Sequence, residues 1–222
     1  MRWHLGVILG LLQAAASAQA SPVFTDWTSV DAQGNSASGT LGTIAVAISG
    51  GDIASAVTDG SSPLFASPSH FTPAIPLGDF VEITGSFTST FTYTITFSAP
   101  VADPILHVGS LASTITFSGI TLTKLSGEPE LVVAGSTVTG QFLVTGGNDR
   151  NGTILLNGSF SGITFTVDAL ALFTNDRDGI ALQVGADLSA VPEPAAGTLV
   201  GVGLLAIHGL RRAKGRWTHS RR

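Results

Sequence analysis

Phe91, Tyr93, Ile95 and Phe97 alternate with Thr92, Thr94, Thr96 and Ser98. A strand over these residues therefore has one apolar face and one hydroxyl-bearing face. The same alternation runs through Ile163, Phe165 and Val167 against Thr164, Thr166 and Asp168. Ile115 and Phe117 alternate with Thr114, Thr116 and Ser118, but Gly119 shifts the parity to Ile120 and Leu122, which predicts a bulge or tight turn there. Further short apolar runs predict strands over 41–49, 80–84, 104–108, 130–134, 141–145, 153–156 and 180–184. Turn chemistry separates these runs. Asn151-Gly152 and Asn157-Gly158 predict tight hairpins, as do Gly50-Gly51, Asp59-Gly60 and Gly146-Gly147. The stretch 61–76, with four prolines, predicts a long surface loop. Many short, evenly spaced strands predict an all-β domain over 21–188, an antiparallel β-sandwich of jelly-roll or immunoglobulin-like form.

The two ends break this pattern. Residues 1–20 combine the positive Arg2, the apolar run 5–12 and the small residues 14–20, ending Ala18-Gln19-Ala20. This is the layout of an export signal, with Ala18 and Ala20 as the small residues that a signal peptidase admits and Ser21 as the mature N-terminus. At the other end, in 189–222, Val191-Pro192-Glu193-Pro194 precedes the apolar span 195–210, followed by Arg211, Arg212, Lys214 and Arg216. Sixteen helical residues rise roughly 24 Å, a thin but workable span against a hydrocarbon core of about 30 Å. The bases behind the span predict that the tail stays cytoplasmic and the body faces out.

The motif Val191 to Pro194, the adjoining span and the Arg211-Arg212 start of the basic patch closely resemble the PEP-CTERM sorting signal of Gram-negative bacteria. The resemblance implies recognition by an exosortase, a membrane transpeptidase-like protease that cuts near the Pro-Glu-Pro motif. It further implies transient anchoring in the inner membrane and release of the body toward the cell surface or exopolysaccharide matrix. It is an address, covers only the tail, and names no activity; similar tails are also attached to ice-binding proteins.

Composition sharpens the division between body and ends. The whole chain has a formal net charge of −5 and no cysteine. Between Ser21 and Ala190, three bases (Lys124, Arg150, Arg177) stand against fourteen acids, a net of −11. Such a body does not suit nucleic acid, which is bound by neutralising phosphates with Lys and Arg. The absence of cysteine excludes disulfides, cysteine-ligated metals and thiol catalysis.

Candidate chemistry in the body is sparse. Two histidines, His70 in the proline-rich stretch and His107 in a short apolar strand, have no G-x-S-x-G elbow to serve, and no carboxylate pair stands out by spacing. His107 reads as a hydrogen-bonded strand residue, and the chain as no enzyme. Asp176 and Asp178, beside Asn175 and Gly179, gather hard oxygens that suit calcium, or else form a plain Asx turn. The segment 148–152 (NDRNG) echoes 175–179 (NDRDG), which predicts two similar turns on one edge of the sandwich and could bring Asp149 close. Carbohydrate binding lacks an aromatic platform: Tyr93 belongs to a core-facing row, and Trp27 either caps the sandwich or lies in a groove. Threonine rows invite an ice-binding reading, because a flat Thr-x-Thr array can order water, yet one strand of three threonines is not an array. The resemblance of the tail, with so little chemistry in the body, implies an exported structural or adhesive protein of an exopolysaccharide or biofilm matrix. A carbohydrate- or calcium-binding module is the alternative, and an ice-binding protein or hydrolase comes after it.

Overall fold

The computed structural model describes residues 21–33, 35–86, 88–140, 149–169 and 177–188. The expected signal segment with Ala18 and Ala20, the strand over 141–145, Gly146-Gly147, Asp176 and the whole sorting tail lie outside the described residues. In chain order the strands are β1 (Val23–Phe24), β2 (Asp26–Asp31), β3 (Ser36–Leu41), β4 (Ile44–Gly50) and β5 (Ile53–Ser62). Next come β6 (Gly78–Ser86), β7 (Phe91–Ala102), β8 (Ile105–Leu111), β9 (Ser113–Phe117) and β10 (Thr121–Gly127). The last are β11 (Leu131–Ala134), β12 (Thr137–Gly140), β13 (Arg150–Asn157), β14 (Ser159–Ala169) and β15 (Arg177–Ala186). Among the described residues no helix is long and apolar enough to cross a membrane.

The strands form two antiparallel sheets, so the all-β sandwich expected from the alternation is what the chain builds. One sheet runs β10-β13-β8-β15-β6-β5, with β1 added against β15, and the other runs β11-β12-β9-β14-β7-β4-β3-β2. The pairing is nested: β6 pairs with β15, β7 with β14, β8 with β13 and β9 with β12. Strands adjacent in sequence therefore mostly sit in opposite sheets.

That nesting corrects the hairpins expected from the glycine pairs. Gly50-Gly51, with φ of 92° and 56°, carries the chain from β4 across to β5 in the other sheet, and Asn157-Gly158 carries it from β13 to β14. Asn151-Gly152 lies inside β13, where the register against β8 shifts, and Asp59-Gly60 lies inside β5 at another irregularity. Turn residues specify that the backbone bends; they do not specify that the next strand pairs with the last. Gly119 is a turn, as expected, and it links β9 in one sheet to β10 in the other. The run 41–49 proves to be a hairpin corner followed by a strand: Leu41 faces Ile44 across Gly42-Thr43.

The interior between the sheets is filled by the apolar face of each alternating strand, with Leu41, Ile83, Tyr93, Ile115, Phe165 and Leu182 all essentially inaccessible. Tyr93 is core, as its row predicts. Its ring stacks on Phe165 at 5.5 Å. Its hydroxyl accepts the N–H groups of Asp52 (3.0 Å) and Thr84 (3.1 Å) and donates to the Thr84 carbonyl (2.6 Å), which ties β7 to β6 in the opposite sheet. Trp27 is also buried, at 1% exposure, which favours the cap over the groove. Its Nε1–H donates to Gln183 Oε1 (2.9 Å), and the Gln183 amide donates to the Thr25 carbonyl (2.8 Å). Both buried polar tips thus find partners, as burial of such groups requires.

The proline-rich stretch is a loop over 63–77, but not a loosely attached one. Phe65 and Phe71 are each 2% exposed and pack with Ala181 on the outer face of the β10–β5 sheet, with Leu64, Ile75 and Phe80 around them. This covering explains why β8 is buried on both faces.

Candidate functional site

The described parts of the two echoed segments, 149–152 and 177–179, lie at one end of the molecule, as the starts of β13 and β15 and not as turns. β13 and β15 flank β8 and both run antiparallel to it, so they start at the same end, where β8 finishes at Leu111. Asp178, the expected calcium ligand, points into the sandwich at 5% exposure. Its Oδ2 accepts the Ala112 N–H (3.0 Å) and the Ser113 hydroxyl. Burial pushes the Asp178 carboxyl up to about 6 even though both hydrogen bonds favour its charged form, and the negative charge of Asp149 adds to the rise. Asp149 is itself raised by burial, with Arg150 pulling it down and Glu128 pushing it up.

Arg150 is 7% exposed and lies 4.0 Å from both Glu128 and Glu130. Glu128 also accepts the Asn151 N–H (2.7 Å), and Asn151 Oδ1 accepts the Ser110 N–H (3.1 Å). The sequence echo located this cluster, but nothing in it signalled that Glu128 and Glu130 would close around Arg150. Among the described residues no group of three or more His, Cys, Asp or Glu side chains is placed to hold a metal ion.

His107 is fully inaccessible and hydrogen-bonded at both ring nitrogens. The Pro73 carbonyl, 2.9 Å from Nε2, can only accept, so Nε2 carries the proton. Nδ1 then accepts from the Thr153 hydroxyl at 2.9 Å, and Thr153 Oγ1 accepts the Thr72 N–H at 2.9 Å. Burial lowers the His107 pKa to about 4, so the ring is neutral at ordinary pH. Phe24, Phe65 and Phe71 surround it at ring distances of 4.7 to 5.5 Å. It fastens the 63–77 loop to β8 and β13, in keeping with a hydrogen-bonded strand residue. His70 lies half-buried in that loop, its carbonyl accepting from Ser126 Oγ at 2.9 Å.

No protein-family model, curated protein or solved structure matches this chain. The outer face of the eight-stranded sheet presents an extended hydroxyl-bearing surface.

Thr137, Thr116, Thr166 and Thr92 stand opposite one another across β12, β9, β14 and β7. Thr139 faces Thr114 in a neighbouring rank and Thr164 faces Thr94 in another, with hydroxyls 3.1 and 3.2 Å apart. The Thr94 rank continues through Ser49 to Ser36, and the next rank runs Thr96, Ala47, Ser38, Ser29. The threonine row of one strand is thus part of a two-dimensional array, which corrects the expectation drawn from that strand alone. The signal was present as four Thr-x-Thr triplets around a buried apolar residue: Thr94-Ile95-Thr96, Thr114-Ile115-Thr116, Thr137-Val138-Thr139 and Thr164-Phe165-Thr166. Their adjacency was invisible because nested pairing orders them differently from the chain.

On the same face, β4 presents Ala45 and Ala47 between the larger side chains of β7 and β3. The result is an open groove of about 400 Å³ bordered by Thr96 and Ser98 on one side and Ser38 and Thr28 on the other. A second hollow of about 180 Å³ continues past Ser38 and Ala47 toward Ser29 and Asp31.

Proposed function

We propose that this chain is an exported protein of the cell surface or extracellular matrix, sorted by an exosortase-type system, with a structural or adhesive role in an exopolysaccharide or biofilm matrix. The observation that carries the reading is the order of the C-terminal elements: Val191 to Pro194, then the apolar span 195–210, then Arg211, Arg212, Lys214 and Arg216. The export signal at 1–20 supplies the matching first step, with Ala18 and Ala20 read by a signal peptidase. The tail acts as a temporary inner-membrane helix and the acidic body is the delivered cargo. The nested strand pairing supports a jelly-roll form for that body, because rolling up one long hairpin of strands produces such nesting. Fold alone assigns no activity.

Cell fractionation of the producing strain tests this. The body should accumulate outside the cells without its tail, and Glu193→Ala with Pro194→Ala should hold the full-length chain in the inner membrane. Finding only full-length protein in the inner membrane of the unaltered strain contradicts the reading. Calcium binding at Asp176 and Asp178 is a second reading, drawn from their spacing in the sequence and from the charge of Asp149 acting on Asp178. Millimolar calcium should then raise the melting temperature, and an unmoved melting curve rejects it.

A further inference from the structure

The hydroxyl face of the eight-stranded sheet has three properties that together select a ligand. It is ordered, because register places threonines and serines in ranks about 4.8 Å apart across strands and about 6.8 Å along them. It carries no base among the described residues: Lys124, Arg150 and Arg177, the three bases of the body, all lie on strands of the other sheet. The acids on its strands lie at the margins, Asp26 and Asp31 on the edge strand β2 and Asp168 near the end of β14.

We propose that this face binds a neutral polysaccharide, which lies along β4 in the groove between Thr96 of β7 and Ser38 of β3 and hydrogen-bonds to the hydroxyls of the flanking strands. The inference rests on the matrix reading and names its partner. A sugar polymer presents donors and acceptors at every unit, and threonine and serine hydroxyls both donate and accept, so either can adapt to the other. An acidic polysaccharide would find no base on the described strands of this face and would be repelled by a strongly acidic body. The exposed ranks have no aromatic platform, so binding comes from many weak contacts repeated along one chain and gains strength through avidity.

Sheet twist decides between a polymer and a crystal plane. At roughly 20–25° per strand, the four threonine-bearing strands rotate by roughly 60–75° from first to last. A chain lying along one strand need not match that rotation, whereas a flat ice facet would have to.

The test uses the full chain solubilised in neutral detergent, so it does not depend on whether the tail is cut. Sedimentation with cellulose, curdlan and insoluble mannan measures neutral glycan binding, alginate beads measure acidic glycan binding, and adsorption to a growing ice hemisphere measures the crystal alternative. Retention on at least one neutral glycan, with none on alginate or ice, is expected. The triple variant Thr94→Val, Thr96→Val, Thr164→Val keeps shape and strand preference while removing three hydroxyls. It should bind about tenfold more weakly or worse. Thr121→Val, on β10 of the other sheet, should bind as the parent does. If the triple variant does not fold, Ala47→Gln, which fills the groove, replaces it with the same expectation. Retention on none of the neutral glycans, retention on alginate or ice alone, or unchanged retention in the groove variants overturns the proposal. Failure here leaves the fractionation result standing, and a chain confined to the inner membrane that still binds glycan would overturn the sorting reading alone.

Discussion

The Asp178→Asn protein should lose stability steeply as pH falls from 6.5 to 4, over a range where the unaltered protein stays nearly level. Two buried groups with opposite pH dependences produce that flatness. The folded state raises Asp178 from 3.8 to about 6, so it holds a proton there that the unfolded chain has released. Stability from this group is present below pH 3.8 and is lost as pH rises through 6. The folded state lowers His107 from 6.5 to about 4, so the unfolded chain takes up the proton first. Stability from His107 is present above pH 6.5 and is lost as pH falls through 4. Each shift is worth roughly 3 kcal/mol, with opposite signs over nearly the same window. The amide that replaces the carboxyl would still accept from the Ala112 N–H and the Ser113 hydroxyl, but it does not titrate, leaving His107 unopposed. Urea unfolding at half-unit pH steps measures this, and parallel profiles for variant and parent would show that Asp178 does not titrate in this range. Asp79 and Asp149, both raised by burial, lean the same way as Asp178, and Asp59, lowered by its hydrogen bonds to Ser61, leans with His107; all three are common to variant and parent, so the difference between the two profiles is that of Asp178.

His107→Ala should release the proline-rich loop at a cost of roughly 3–5 kcal/mol. The substitution removes the donor to Pro73 and the acceptor for Thr153, and it opens space beside Phe24, Phe65 and Phe71. The loop's other fastenings are the Thr72 N–H to Thr153 Oγ1, the Ser126 hydroxyl to the His70 carbonyl, and its two phenylalanines. Hydrogen exchange reads the effect locally. Amides of 64–77 should lose protection while those of Ile163 and Phe165, in the other sheet, keep theirs. Unchanged protection over 64–77 would mean that the phenylalanines alone hold the loop.

Both effects depend on placement that the sequence did not show. The alternation around Phe91–Ser98 and Ile163–Val167 was legible because one buried face imposes a period of two on every strand. Tyr93 was correctly placed for the same reason. His107 was legible as a strand residue, but the loop sealing the far side of its strand was not. Phe65 and Phe71 sit among prolines with no periodicity to betray their burial. Asp178 followed a turn signature and looked like a surface ligand. It is buried because β15 begins before it and pairs with β6, setting Asp178 against Gly85. The threonine ranks show the same limit from the other side. Each Thr-x-Thr triplet is local and readable, whereas the array exists only through long-range register.

The acidic body and its two basic, apolar ends remain the organising fact, and intact mass spectrometry of the extracellular form tests it most directly. The expected species begins at Ser21 and ends near Pro192–Pro194, having lost all seven terminal bases and keeping only Lys124, Arg150 and Arg177. An extracellular species that retains Arg211 and Arg212 would contradict it.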